Sequence, residues 1–200
     1  MVKEQQLQEK QRQRYEEWGR AEGNIEHPTH LQTLLKPEQQ RRIQWLRDRC
    51  WLEQDILDIG CSWGYILNKL QGRCGVDINP ESIEKGQKEF PHIEFKVGDV
   101  IKGLNIPDRK YAIVIEADLL EHLEWFEGVE KGLMEGLRIA RNKLLITLPW
   151  KPTSDCALCF KHQWVPSAIT VGSILAWLIN KTNGLGISCD GDFVYIEVKC

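Results

Sequence analysis

The sequence lacks an uninterrupted apolar run of the roughly 20 residues that a membrane-spanning helix requires. Its beginning, MVKEQQLQEKQRQRYEEW, also lacks the apolar core of a secretory signal peptide. The seven cysteines are an odd number, and they lack the spacing of a disulfide framework. These absences argue against membrane-spanning and secreted proteins, and they favour a cytoplasmic protein with free thiols.

The sequence also lacks a strong excess of either positive or negative charge. The chain has 26 basic and 29 acidic residues, a net charge of -3 and a pI near 6.0. This balance gives no general attraction to nucleic acid or to acidic membranes, although a local basic patch would keep a nucleic-acid partner open. The length of 200 residues and the hydrophobic fraction of 42% indicate one domain with a sizeable core.

Short apolar runs alternate with helical segments from Asp55 onwards. The predicted strands are residues 55–60, 73–78, 93–99, 111–117, 143–149, 185–190 and 192–199. The predicted helices between them are residues 65–72, 80–90, 122–140 and about 166–180. This alternation is typical of an α/β fold with a parallel sheet and helices on both faces. The pair Asp190 and Gly191 predicts a hairpin between the last two strands.

Residues 1–52 differ in composition from the rest, because they are rich in Gln, Arg, Glu and Trp. An exposed helix is predicted at residues 3–20, and a second helix after Pro37, with Ile43 and Leu46 on its apolar side. We therefore expect residues 1–52 to form an N-terminal helical extension or cap, and residues 53–200 to form the main domain. A partly disordered tail as far as Glu26 is the alternative.

The stretch DILDIGCSWGYIL, residues 55–67, places glycines directly after a buried strand. Gly60 and Gly64 lack the Cβ atoms that would keep a ligand away from the backbone, and Ser62 between them is small. A dinucleotide-binding turn would need a third glycine where Tyr65 stands. A phosphate-binding loop would need a Gly-Lys-Ser/Thr sequence, which does not follow. Neither of these two nucleotide-binding motifs fits.

An acid ends each of the first three predicted strands, Asp58, Asp77 and Asp99. The ends of neighbouring parallel strands form the ligand-binding edge of an open sheet. Carboxylates there repel phosphate and attract an amino group, ribose hydroxyls and an adenine amine. A ligand with these groups and no phosphate is S-adenosylmethionine. Each acid on its own is also explained as a helix cap or a turn residue.

The segments ILDIGCSWG, GVDINPESI, VGDV, YAIVIEADLLEHL and LLITLP together resemble the class I S-adenosylmethionine-dependent methyltransferases, in particular their small-molecule group (type 11/12). The likeness extends from about Gln54 to Lys199. It implies a Rossmann-like fold with a seven-stranded, mostly parallel sheet, helices on both faces and a last strand that is antiparallel. It also implies S-adenosylmethionine as the cofactor.

The resemblance implies a set of cofactor-binding residues, carried over by matching position. The methionine part would contact Asp58, Gly60, Ser62 and Gly64. The ribose would contact Asp77, and the adenine would contact Ile78, Asp99 and Val100. The sulfonium would lie near backbone groups of Glu116 and Ala117. The sequence departs from the family pattern at two positions. Ser62 replaces a central glycine, and Ala112 replaces an acid that often occurs in the fourth strand.

A general base is needed only where the acceptor has to lose a proton. His122, just beyond the fourth strand, is the candidate, and a structural role in orienting the loop is the alternative. Residues 149–165 are expected to form a lid over the acceptor. Within it, Cys156, Cys159 and His162 have the spacing of three zinc ligands, but no fourth ligand is apparent, so no metal is predicted.

The expected activity is methyl transfer from S-adenosylmethionine to a small-molecule acceptor, with nucleic acid and protein acceptors still open. The alternative is a protein that binds S-adenosylmethionine without catalysis, as a sensor or a partner subunit. A nicotinamide-dependent oxidoreductase is disfavoured by Tyr65 in the glycine turn and by Asp58, which would repel a pyrophosphate.

Overall fold

A computed structural model of the chain describes residues 34–51, 53–150, 167–182 and 184–200. The described helices are α1 (Pro37–Arg49), α2 (Tyr65–Lys69), α3 (Pro80–Glu89), α4 (Glu127–Ile139) and α5 (Ala168–Lys181). The strands are β1 (Ile56–Ile59), β2 (Cys74–Asp77), β3 (Glu94–Val97), β4 (Tyr111–Ala117), β5 (Ala140–Pro149), β6 (Leu185–Cys189) and β7 (Phe193–Lys199). The helix predicted at 3–20 and residues 151–165 of the predicted lid lie outside the described ranges.

The described strands form one sheet of seven, in the order β3-β2-β1-β4-β5-β7-β6. The pairs β1–β2, β1–β4, β2–β3 and β4–β5 are parallel. The last strand, β7, lies between β5 and β6 and is antiparallel to both. The predicted α/β fold, with a mostly parallel seven-stranded sheet and an inserted antiparallel last strand, is confirmed.

The sheet is buried in the middle and separates two apolar clusters. Every residue of β1 and β4 is buried. Alternate residues point to opposite faces of a strand, and accordingly Leu57 and Val114 belong to one cluster while Ile56 and Ile113 belong to the other. Because both faces are covered, a ligand can approach the central strands only at their ends. The carboxyl end of β1 continues directly into the glycine turn.

Two predicted helices have different bounds in the structure. The helix predicted from residue 122 begins at Glu127, because residues 120–122 form a separate 3-10 turn and Phe126 has a φ of 70° that no α-helix contains. The helix predicted for 65–72 ends at Lys69. There the amide of Gly72 donates to the carbonyl of Leu67 at 3.0 Å, which closes the helix in a Schellman-type turn.

Helix α1 packs against the C-terminal hairpin through a series of side-chain contacts. Arg41 forms ion pairs with Asp190 at 3.2 Å and with Asp192 at 2.6 Å. One turn further, the rings of Trp45 and Tyr195 stack with centroids 4.9 Å apart. The helix begins at Pro37, as predicted, since proline suits the first helical turn. These contacts fix α1 beside the carboxyl ends of the central strands.

Within the described ranges, no helix combines the length and the apolar character needed to cross a membrane.

Candidate functional site

The glycine turn after β1 is bent by three residues with positive φ. These angles are 79° at Gly60, 50° at Ser62 and 83° at Gly64. The amides of Gly60 and Cys61 both donate to the carbonyl of Val76 in β2, at 2.8 and 3.1 Å. The turn therefore folds back over the end of the neighbouring strand. Ser62 tolerates the left-handed conformation at a cost that glycine would not carry.

Gly64 is required by packing beneath the turn. A Cβ atom at this position would lie 2.5 Å from the ring of Phe95, and the positive φ disfavours a side chain in addition. At Gly60, a Cβ would lie 3.0 Å from Leu119. The structure thus explains both glycines by the space that neighbouring side chains occupy, and their predicted cofactor contacts stay a prediction.

Asp77 at the end of β2 holds the turn in place. Its carboxylate accepts hydrogen bonds from the amide of Ser62 at 2.8 Å and from the amide of Asn79 at 2.9 Å. Burial raises its pKa, and hydrogen bonds from the backbone of Asn79, Ser62 and Ile78 act in the opposite direction. A carboxylate has about four acceptor sites, so Asp77 keeps room for about one further donor.

Asp58 at the end of β1 is a buried carboxylic acid with an unused oxygen. Its side chain is 2% exposed, and Oδ1 has no hydrogen-bond partner among the described residues. Burial, together with the charge of Asp77, raises its pKa to about 8, while Arg42 acts in the opposite direction. A cationic donor placed at this oxygen would satisfy it and stabilise the ionised form.

Asp99 follows β3 and caps a short turn. Its Oδ1 accepts from the amide of Ile101 at 3.0 Å, and its Oδ2 lies 3.2 Å from the ammonium of Lys102. The sequence allowed for this capping role. The strand pairing places Asp99 next to Asp77, because the amide of Gly98 donates to the Asp77 carbonyl at 2.9 Å. Nearby, Ile78 is half-buried and Val100 is buried in the core.

The end of β4 carries two acidic side chains with different surroundings. Glu116 is fully buried against α4, where a Cβ on Gly136 would lie 2.4 Å from its Oε1, and burial raises its pKa well above the ordinary value. Its side chain therefore lies on the α4 side, and only the backbone of Glu116 and Ala117 belongs to the strand end. Asp118 comes next, with a φ of 55°.

Arg42 of α1 reaches this strand end and was not predicted as a site residue. Its guanidinium is 3% exposed, donates to the carboxylate of Asp118 and lies 5.0 Å from the ring centroid of Phe193. Asp118 also accepts from the hydroxyl of Thr147 at 3.3 Å. Burial lowers the pKa of Arg42 to about 10, and the charges of Glu121 and Asp58 act in the opposite direction.

A signal for Arg42 does exist in the sequence. It precedes Leu46 and Cys50 at intervals of four residues, so it occupies the buried side of α1. A charged residue in such a series requires a buried partner. That the partner is Asp118 depends on the tertiary structure, because 76 residues separate the two.

Glu121, Arg42 and Asp58 form a group of buried ionisable residues, with the partly exposed Asp118 beside Arg42. Glu121 is fully buried, and neither of its carboxylate oxygens has a hydrogen-bond partner among the described residues. Burial raises its pKa to about 8, against an ordinary value of 4.5, and the charge of Arg42 opposes this shift. His122 follows in the same turn and is half-buried.

The raised pKa values of Glu121 and Asp58 predict that the protein loses stability as the pH rises. Both acids hold their protons more tightly in the folded chain, so stability is greatest below their unfolded pKa values of roughly 4. We expect the free energy of unfolding, measured in urea, to fall by a few kcal/mol between about pH 5 and about pH 8. Glu121→Gln should reduce this fall, and an unchanged pH dependence would contradict the burial of an ionisable group at this position.

The metal ligands considered from the sequence, Cys156, Cys159 and His162, lie outside the described residues. Within the described ranges, no group of three or more His, Cys, Asp or Glu side chains is arranged to hold a metal ion.

Comparison with known proteins shows which family part of the chain resembles. Residues 56–142 match a family model described as a methyltransferase domain. This part of the chain is similar to a methyltransferase domain. The match begins at the first residue of β1 and ends within β5, so it includes the glycine turn and the ends of the first four strands. The predicted resemblance to class I methyltransferases is confirmed. A comparison of the sequence with curated proteins gives no match.

Several solved structures of methyltransferases have a similar fold. One is the N-methyltransferase NodS from Bradyrhizobium japonicum WM9 in complex with S-adenosyl-L-homocysteine, with 18% identity, a TM-score of 0.67 and coverage of 92% of this chain and 97% of that chain. Another is a SAM-dependent methyltransferase from Aquifex aeolicus, with 16% identity, a TM-score of 0.62 and coverage of 86% and 97%. A third, an S-adenosylmethionine-dependent methyltransferase from Mesorhizobium loti, has 14% identity, a TM-score of 0.56 and coverage of 79% and 98%. At these identities the likeness concerns the fold.

The fold brings some of the predicted site residues together. Asp77 contacts Ser62 directly and interacts electrostatically with Asp58, and Asp99 lies at the next strand end. His122 lies apart from these, beyond β4, in the same short turn as Glu121. The roles assigned to individual residues from the sequence stay predictions.

Proposed function

We propose that this protein is an S-adenosylmethionine-dependent methyltransferase that transfers a methyl group to a small molecule. One observation carries the proposal. Asp58 leaves a carboxylate oxygen without a partner beside the glycine turn, at the same edge as Asp77 and Asp99. Such an edge attracts a ligand that is cationic at one end and rich in hydroxyl donors, and the match to a methyltransferase domain supports this assignment.

The buried charges beside the turn fit the amino-acid end of the cofactor. The unused Oδ1 of Asp58 is an acceptor for its ammonium group, and the Nε of Arg42, which has no partner among the described residues, is a donor for its carboxylate. Arg42 and Asp58 lie close enough for their charges to interact. A zwitterion satisfies both buried groups at once, which neither a dinucleotide nor a nucleoside triphosphate does.

The remaining contacts follow the strand ends. We assign the hydrogen bonds of the ribose hydroxyls to Asp77 and that of the adenine amine to Asp99. We assign apolar contacts with the adenine ring to Ile78 and Val100. The backbone of Glu116 and Ala117 borders the space beside β1 in which the methyl group would lie, since β4 is paired with β1.

When bound, S-adenosylmethionine would supply a methyl group that its sulfonium activates for in-line transfer to a nucleophile, with the sulfur left as a thioether. The protein's task is to orient the acceptor and to exclude water. Asp118 is available for orientation, because its side chain is 30% exposed and is held by Arg42 and Thr147. His122 is the residue we assign to proton removal where the acceptor requires it.

Further features support a small-molecule acceptor and a cytoplasmic location. The net charge of -3 provides no general attraction to nucleic acid. Among the described residues, five cysteines are free thiols, Cys50, Cys61, Cys74, Cys189 and Cys200. Free thiols are the usual state in a reducing compartment.

Calorimetry with S-adenosylmethionine and, separately, with NAD tests the cofactor. We expect binding of the first and none of the second. Incubation with a radiolabelled methyl donor then tests the acceptor in three fractions of a cell extract, namely small molecules, RNA and protein. Label in the small-molecule fraction supports the proposal. Label in another fraction would correct the acceptor, and cofactor binding with no label in any fraction would favour a non-catalytic binding protein.

A further inference from the structure

A groove between α4 and α5 carries an unusual combination of side chains. It is a shallow groove, and its apolar lining consists of Trp125, Phe126, Val129, Leu133, Ile174 and Trp177. The polar lining residues are Glu130 and Ser173. Part of this space is open solvent, so a ligand would lie against the lining and would not be enclosed.

The aromatic side chains are held in fixed positions. The rings of Trp125 and Phe126 meet edge to face, with centroids 6.2 Å apart and planes at 70°. Phe126 has a φ of 70° and is 57% exposed. A positive φ is costly for an aromatic residue and occurs where the surrounding structure imposes it. Here it turns the chain just before α4 and leaves the phenyl ring exposed at the groove.

Among the described residues that line the groove, Glu130 is the one that carries a charge. Glu130 accepts a hydrogen bond from the indole Nε1 of Trp177 at 3.2 Å, which fixes the carboxylate against the ring. The other polar lining group, the hydroxyl of Ser173, donates to the carbonyl of Ile169 at 3.0 Å. The nearby cation Lys131 forms an ion pair with Glu127 at 2.8 Å and does not line the groove.

Indole and phenyl faces beside a carboxylate attract organic cations. The ring quadrupole presents negative charge on each face, and aromatic cages with this composition recognise quaternary ammonium groups. The ammonium of Lys181 lies 5.8 Å from the ring centroid of Trp177, so a ligand cation would compete with it for that ring. A bare metal ion is less suitable, since it requires several oxygen ligands and the lining has few.

We propose that this groove is a binding site for small methylated ammonium ions, separate from the cofactor site. The trimethylammonium head lies against the rings of Trp125, Phe126 and Trp177, and the carboxylate of Glu130 balances its charge. The site is independent of the function proposed above, because none of its lining residues belongs to the strand ends around Asp58, Asp77 and Asp99.

Choline and 3,3-dimethyl-1-butanol are the probes that test this site. They have the same shape, but only choline carries a charge. Binding to the full chain is followed by NMR, through the indole Nε1 signals of tryptophan, with Trp177→Phe used to assign the signal of Trp177. We expect choline to shift that signal and to bind at least about fivefold tighter than the uncharged alcohol. Equal affinity for both probes, or no shift with choline at millimolar concentration, would overturn the proposal.

Matched variants separate charge from shape. Glu130→Gln should weaken choline binding about fivefold and leave the alcohol unaffected. Glu127→Gln removes the same charge from the same helix outside the groove, and it should change neither affinity. A Glu130→Gln protein that binds choline as well as the unsubstituted chain does would refute the role of the carboxylate. Affinity for S-adenosylmethionine should be equal in all these proteins, so the cofactor proposal is tested separately.

Discussion

Replacing Arg42 with methionine is expected to lower the free energy of unfolding by about 3–5 kcal/mol near pH 8. The substitution leaves Asp118 without its ion-pair partner and removes the positive charge beside the buried carboxyl groups of Asp58 and Glu121. Urea denaturation measures the effect. Near pH 5 the loss should be smaller, because Asp58 and Glu121, whose pKa values are raised to about 8, are then protonated in the folded chain.

The neighbouring Arg41 provides the matched control. It lies on the same helix and also has two acidic partners, Asp190 and Asp192, but its side chain is 50% exposed. Exposed ion pairs contribute little, so Arg41→Met should cost at most about 1 kcal/mol. If the two variants were equally stable, the charge group around Arg42 would not be buried as the structure has it. The double variant Arg42→Met/Asp118→Asn should recover part of the loss.

Replacing Asp77 with asparagine is expected to weaken the binding of S-adenosylmethionine about 10- to 100-fold. Asparagine is nearly isosteric, but it replaces one carboxylate oxygen with an amide donor and removes the charge. Hydrogen bonds to charged groups contribute about 1.5–3 kcal/mol each, which corresponds to this range of affinity. Calorimetry with S-adenosylmethionine, and with S-adenosyl-L-homocysteine as a second ligand, measures the change.

Asp77 also supports the glycine turn, so the same experiment needs a structural control. The carboxylate accepts from the amides of Ser62 and Asn79, and its loss should lower the melting temperature as well. Asp48→Asn alters an exposed carboxylate on α1 and should leave affinity unchanged. Unchanged affinity in Asp77→Asn would refute the ribose assignment, and a variant that is stable but does not bind would support it.

The strands and the order of elements could be predicted because their signals are local. Buried strands are short apolar runs, and the acids Asp58, Asp77 and Asp99 mark the points where three of them end. The alternation of strands and helices predicted parallel strands, and the carboxyl ends of parallel strands share one edge of the sheet. The glycine turn was recognisable for the same reason, although the structure explains Gly64 by the ring of Phe95 beneath it.

The features that were not predicted depend on contacts between distant parts of the chain. Arg42 reaches Asp118 only because α1 packs against the C-terminal hairpin. Nothing in the residue types around Glu121 indicates that its side chain is fully buried. The start of α4 was placed five residues too early, since nothing in the residue types around Phe126 reveals a positive φ. Local propensity is overridden by tertiary packing at each of these positions.

The insertion of β7 between β5 and β6 makes the edge of the sheet dependent on a single strand. Within the described sheet, β6 is hydrogen-bonded to β7 alone, and most of its residues are exposed. Because β6 can detach while β7 remains bound to β5, we expect the amide protons of β6 that bond to β7 to exchange with solvent faster than those that join β7 to β5.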